Sequence, residues 1–305
     1  MHATLFDQTA LSCLCLSGNN IRDFLQGLLT CDVNNLDTHT ASATLLCQHQ
    51  GKTVASGIIC LLSEQDARLI LPADLAGRVG DILRPYAQLS RITLTAPSPS
   101  TLSTYAYADA QPIAHMPNTK LSHIWRDDGL GLVCLHENPY IVLCTGPKES
   151  VTTWAAQLSH PLIKRLSSWQ ALLIQHGHLF LPAAVSGLFT PNMLSLVPSK
   201  TVSLHKGCYL GQEVIARTYH LGQVKRFLHT FQTTMLQAPL PAGTVLQLAD
   251  SNQKAHVVQS GITKNTLWFQ VVMPECTPPC EFLLQDDSYP DPLLFQANLH
   301  PVAYF

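Results

Sequence analysis

Residues 206–217 read Lys206-Gly207-Cys208-Tyr209-Leu210-Gly211-Gln212-Glu213-Val214-Ile215-Ala216-Arg217, or KGCYLGQEVIAR. The two glycines let the backbone turn tightly or come close to a ligand, and Gly211-Gln212-Glu213 reads as the first turn of a helix. Glu213 there suits the helix dipole, and Arg217, four residues on, is placed for an ion pair with it. Cys208 then stands at a helix start with His205 and Lys206 close in sequence, which lowers a thiol pKa and favours the thiolate. The same residues equally describe a small thiol packed in a core, since free cysteine is among the most buried residue types. Zinc ligation is the weaker reading, because no second cysteine lies two to four residues away.

Outward from this stretch the pattern changes on its two sides. Upstream, Ile21, Phe24, Leu25 and Leu28 recur at helical spacing behind Asn20 as a cap. Residues 42–72 hold strands turned at Gly51-Lys52, and Asp74 is placed to cap a helix that Pro85 ends. A Pro/Ser-rich connector at 96–103 precedes a second run of strands and a helix over 148–158, and a further helix carries Trp169, Leu172 and Leu173 up to Gly177. Beyond residue 222 helical periodicity disappears, and short strands alternate with Pro, Gly and Asn turns, the pattern of a small antiparallel barrel or sandwich. The fold class expected is α+β followed by all-β, with the quoted stretch just ahead of the junction.

Composition narrows the function. The 305 residues are 46% hydrophobic and 12% charged, with a formal charge of −2, so bulk attraction to nucleic acid or an anionic membrane is not expected. The N-terminus lacks the basic lead of a signal peptide, and no segment has the roughly 20 apolar residues of a membrane span. Ten cysteines, most inside apolar runs, fit buried thiols in a reducing cytoplasm better than disulfides. Cys276 and Cys280 flank a proline-rich turn that reads as a surface loop rather than a metal or redox site. Arg217, His220, Lys225 and Arg226 fall within ten residues of a chain with only 18 Lys and Arg. They read either as a solvated helix end or as a local site for a polycarboxylate or phosphate.

KGCYLGQEVIAR, followed by Lys225-Arg226, closely resembles the signature of the YgfZ-type folate-binding proteins, relatives of the glycine-cleavage aminomethyltransferase. The likeness extends, in family order, to Phe24-Leu25-Gln26-Gly27, Thr30, Asp32-Val33, Gly51-Lys52, Trp169 with Gly177, and Phe189 to Leu196. It implies two interleaved α+β subdomains around a central channel, residues 1–40 with 100–221 and residues 41–99, and a C-terminal β-barrel over 222–305. It further implies a tetrahydrofolate-binding protein that supports assembly or repair of iron-sulfur proteins, among them enzymes that modify tRNA. No tightly bound metal, direct nucleic-acid contact or membrane is expected.

Carried over residue by residue, the resemblance makes Cys208 the functional thiol, with Lys206 and Glu213 beside it in the chemistry. Gln175, Tyr209, Gln212, Arg217, Lys225 and Arg226 become candidates for holding the folate, and Gly207 and Gly211 shape the loop. The sequence departs from the family in three places. The aminomethyltransferase branch has an acidic pair after the strand that here reads Ser56-Gly57-Ile58-Ile59-Cys60-Leu61-Leu62, so methylene transfer lacks its electrostatic device and a one-carbon transferase is the second reading. Gln175 stands where the family commonly has Glu, and exchanging a charged for a neutral hydrogen bond weakens pterin affinity about tenfold. Residues Ser199 to His205 replace a glycine pair, Phe and Lys, which changes the loop ahead of Cys208. A pure interaction module that has lost folate binding is the third reading.

Overall fold

A computed structural model describes residues 4–6, 10–96, 102–110, 117, 119–158, 162–163, 166–199, 201–251, 253–276, 278–285 and 292–302. Most of the expected connector at 96–103, and Lys200 ahead of the motif, lie outside the described residues. The chain runs β1 (Thr4–Phe6), β2 (Leu11–Ser17), α1 (Ile21–Gln26), β3 (Ala41–Cys47), β4 (Thr53–Leu61), β5 (Asp66–Pro72), α2 (Ala76–Leu89) and β6 (Thr93–Thr95). It continues through β7 (Leu102–Asp109), β8 (His123–Trp125), β9 (Gly131–Glu137), β10 (Tyr140–Pro147), α3 (Lys148–Gln157), β11 (Leu162–Ile163) and α4 (Leu166–Gln175). After a long irregular stretch come α5 (Gln212–Leu221) and β12 (Phe227–Thr233), β13 (Val245–Leu248), β14 (Lys254–Thr263), β15 (Thr266–Met273), β16 (Cys280–Leu284) and β17 (Leu293–Leu299).

Two sheets face each other. The first has the strand order β3-β4-β5-β2-β6, the second β11-β1-β7-β10-β9-β8. All nine residues of β4 are buried, which a strand covered on both faces requires. Its alternate side chains divide between two cores: Ile59 and Leu61 pack with α1 and α2, whereas Ile58 and Cys60 pack toward the second sheet and Trp169 of α4. On the outer side of the second sheet, Val151 and Trp154 of α3 pack against Leu132, Cys134 and Val142.

The last six strands close into a barrel in the order β12-β15-β14-β13-β16-β17, filled by Phe231, Phe269, Phe282 and Phe295. Helix α4 lies flat on β14. A Cβ on Gly261 would come within 2.3 Å of both the Ala171 nitrogen and the Ser167 carbonyl oxygen, so glycine is required for that close approach.

The α+β body with a terminal barrel is as expected, and several local expectations need correction. Within the 1–40 segment, Thr4–Phe6 pairs in the second sheet, while β2 sits between β5 and β6 and α1 packs into the core of the 41–95 strands. The Asn20 side chain makes no capping bond, and the Asp74 carboxylate accepts from the Ala183 N–H instead of capping α2. Helix α2 passes through Pro85, because Val79, Leu83 and Ala87 continue one buried stripe that outweighs the proline's cost of about 3 kcal/mol. Cys276 and Cys280 form a disulfide rather than free thiols in a loop, the turn bringing their Cα atoms to 6.8 Å, within bridging range. No helix among the described residues is long and apolar enough to cross a membrane.

Candidate functional site: a pinned loop presenting Cys208

Cys208 is exposed, the one exposed residue among the eight free thiols of the chain. This removes the reading of it as a small core side chain. The loop that presents it is fixed from beneath by Lys206, which is only 9% exposed. Its Nζ donates to the carbonyls of Gln26 (2.7 Å), Leu29 (2.6 Å) and Cys31 (2.6 Å), and lies 4.9 Å from the centre of the Tyr209 ring. Serving three carbonyls takes three N–H donors, which the ammonium has and the neutral amine lacks. Burial pushes the Lys206 pKa down to about 8, so the ammonium is the form present at neutral pH.

Gln212 closes the loop from the other side. Its Oε1 accepts from the Tyr209 N–H at 3.1 Å, and its Nε2 donates to the Lys206 carbonyl at 3.4 Å. Gly211, at φ +85°, is the N-cap residue just ahead of α5, and a Cβ there would lie 2.4 Å from the Gln48 carbonyl in the β3–β4 turn. Gly51 in the same turn, at φ +72°, has the Val214 side chain of α5 against it. The helix start is thereby seated on the first sheet's hairpin. Gly207 has nothing within 4 Å of the place a Cβ would occupy.

The remaining motif residues have different surroundings. Tyr209 is buried in the core formed with Cys47, Leu179 and Ile215, where burial raises its pKa, and its hydroxyl has no partner among the described residues. Glu213 and Arg217 make the expected i,i+4 pair at 3.9 Å, but their side chains are 89% and 65% exposed, so the pair contributes little. Lys225 and Arg226 line an open groove of about 270 Å³ with Thr190, Met193, Thr218 and Gln223. Gln175 ends α4, half-buried, and neither it nor Cys208 lines that groove or the cavity between the two sheets.

The neighbourhood of Gln175 holds a feature the sequence reading missed. His136 of β9 lies 4.8 Å from His176 and 5.8 Å from His178, ring centre to ring centre. Burial pushes His176 down to about 4 and His178 to about 3, with the neighbouring basic groups adding to it. Nothing local could have paired His136 with residues some forty positions later. The stretch Leu173-Ile174-Gln175-His176-Gly177-His178 gives only the two end members.

Between the two sheets, Ala43, Gly57, Ile58, Lys120, Leu135 and His178 line a narrow cavity of about 20 Å³, room for a single water. Gly57 is forced, since a Cβ would meet the Ile70 carbonyl at 2.4 Å. Ser56, the nearest polar group on β4, is fully used: its Oγ donates to the Leu179 carbonyl at 2.8 Å and accepts from the Leu181 N–H at 2.7 Å. The lining is mostly apolar, with Lys120 and His178 as its polar members, and a volume of this size does not hold a pteridine. Among the described residues no carboxylate lines it to receive a pterin's N–H donors. Among the described residues no group of three or more His, Cys, Asp or Glu is placed to hold a metal ion.

No protein-family model matches the chain. The tRNA-modifying protein YgfZ of Colwellia psychrerythraea is 28% identical over 262 residues, covering 82% of this chain and 78% of the relative. That of Blochmanniella pennsylvanica is 27% identical over 297 residues, covering 92% and 90%. Among solved structures, the glycine cleavage system aminomethyltransferase T of Bartonella henselae superposes with a TM-score of 0.79 at 14% identity, covering 98% of this chain and 85% of that one. The chain is a relative of the YgfZ proteins and is built on the fold of the glycine-cleavage aminomethyltransferase.

Proposed function

We propose that the protein is a folate-linked factor for tRNA modification, acting through the assembly or repair of iron-sulfur proteins, with Cys208 as its working thiol. The observation that carries this reading is the exposed Cys208 on a loop that Lys206 and Gln212 hold in place. An evolved surface thiol with no task would not need a buried ammonium and a positive-φ glycine behind it. Lys206 acts in this reading as the anchor of the loop, its three donors all spent on carbonyls. Tyr209 and Gln212 likewise hold the loop, and Lys225 and Arg226 supply the cationic side of the groove, where carboxylates of a folate would be received, with Arg217 exposed on the neighbouring α5. Gln175 remains the proposed contact for the pterin, at the end of α4 nearest the histidines.

The aminomethyltransferase reading is weaker at the level of groups. Ser56 is committed, Gly57 has no side chain, Ile58 is apolar, and Glu213 stands in solvent beside Arg217. Among the described residues, no carboxylate lines the cavity between the sheets to stabilise developing positive charge.

The test is complementation in a cell lacking its own YgfZ protein, reading the tRNA nucleosides made by an iron-sulfur enzyme. The wild-type chain should restore them, and Cys208→Ser should leave them at the level of the empty vector. Full restoration by Cys208→Ser would overturn the role of the thiol. Calorimetry with tetrahydrofolate addresses the folate separately: binding is expected, and its absence alongside restored tRNA modification would favour the interaction module.

A further inference from the structure

A second group of thiols lies on the first sheet, remote in sequence from the motif. Side chains two apart on a strand share a face, and neighbours in register on adjacent strands do too. Cys15 of β2 is in register with Arg68 of β5, and Arg68 with Cys60 of β4, while Cys13 precedes Cys15 by two. Leu14 and Leu16 fall in the core beneath α1 and α2, whereas Cys13 and Cys60 fall in the core facing the second sheet. Cys13, Cys15, Cys60 and Arg68 therefore share one face.

Their accessibility differs. Cys13 and Cys60 are buried, whereas Cys15 is partly exposed at the margin beside the short edge strand β6. The Arg68 guanidinium is held over the Trp125 ring at 5.7 Å, with Nη1 donating to the Ala67 carbonyl at 2.9 Å. It is thereby kept on this face and not swung into solvent. The Cys13 thiol makes only a 3.9 Å contact with the Leu14 carbonyl, so turning it toward an anion on Cys15 loses little.

We propose that Cys15 is a second reactive thiol of this protein, held as a thiolate by the Cys13 S–H and the Arg68 guanidinium, and that it is a site of S-thiolation by low-molecular-weight disulfides. The step balances within those reactants. The Cys15 thiolate attacks one sulfur of the small disulfide, a new S–S bond forms, the old one breaks, and the released thiolate takes a proton from water. Cys13 does not displace the adduct: side chains two apart on a strand project in parallel, which keeps their Cβ atoms well beyond the roughly 4 Å that a disulfide spans. The mixed disulfide is thus the end point. The charged and titratable groups acting on Cys15 are Cys13 and Arg68, which favour the thiolate, and Asp66, which opposes it. Their balance, led by the neighbouring Cys13 thiol, brings its pKa down to about 6, while Cys13 is raised well above the usual thiol range.

The test labels the folded, full-length protein with iodoacetamide from pH 5 to 9 and follows the peptides of Cys13, Cys15 and Cys208 by mass spectrometry. Cys15 should react with a rate that is half-maximal near pH 6 to 7, Cys13 should stay unlabelled until the protein is denatured, and glutathione disulfide should add to the Cys15 peptide. Arg68→Gln and Cys13→Ala should each move the Cys15 profile to higher pH, lowering its rate at pH 6.5 several-fold, while Arg68→Lys retains most of it. A Cys15 rate that rises only above pH 8 in the wild type, or a profile unmoved in both variants, would overturn the proposal. Circular dichroism of each variant identifies one that has lost its fold, and the wild-type profile decides the matter without them.

Discussion

The ammonium of Lys206 shows how far a residue's role can lie from its neighbours in sequence. Placed two residues before Cys208, it reads as a cation that acidifies the thiol. In the fold its donors reach carbonyls 175–180 residues earlier, in and after α1. No local pattern carries that information, because the partners are backbone atoms and leave no signature of residue type. The motif around Cys208 was legible, since its glycines and helix start are specific enough to name a family, whereas the exposure of the thiol was not. Replacing Lys206 by Met strands three buried acceptors, each worth about 1 kcal/mol or more when unpaired. Lys206→Met should therefore lower unfolding stability by roughly 2–4 kcal/mol in a denaturant titration. A loss under 1 kcal/mol would show that water reaches those carbonyls.

At the scale of elements, the seat of α5 depends on one close approach. Gly211 is at φ +85°, and any Cβ there meets the Gln48 carbonyl, a backbone atom that cannot turn aside. Gly207, four residues earlier in the same motif, meets nothing. Gly211→Ala should cost roughly 1–3 kcal/mol, seen as a lower thermal midpoint, whereas Gly207→Ala should stay within about 0.5 kcal/mol. Equal losses from the two substitutions would contradict this account. Elements with a continuous apolar run or a clear apolar stripe were readable: β3, β4, β9, β10, α3 and α4 lie where the hydrophobic pattern puts them. Strand β17 was not, because its burial falls on Phe295 and Ala297 while Leu293, Leu294 and Leu299 stay exposed, so hydropathy does not alternate with the pleat. The course of α2 through Pro85 was hidden for the opposite reason, a local breaker overruled by the buried stripe of Val79, Leu83 and Ala87.

For the whole molecule, the junction of the second sheet, the end of α4 and the barrel is where pH should act. His136 comes from β9, His176 and His178 follow α4, and His300 after β17 contributes to the field at His176. In the unfolded chain a histidine takes up its proton near 6.5, whereas in the fold His176 holds out to about 4 and His178 to about 3. Below pH 6.5 the unfolded state then binds more protons than the folded one. The stability these neutral histidines contribute is full above pH 6.5 and is lost as the pH falls toward 4. Each adds at most about 1.4 kcal/mol per pH unit to that slope. Urea titrations between pH 7 and 4.5 should show midpoints falling steadily, before most carboxylates titrate, and His176→Gln should make the fall shallower. A midpoint that stays level from pH 7 to 5 would mean that His176 and His178 accept protons without parting the sheet from the barrel.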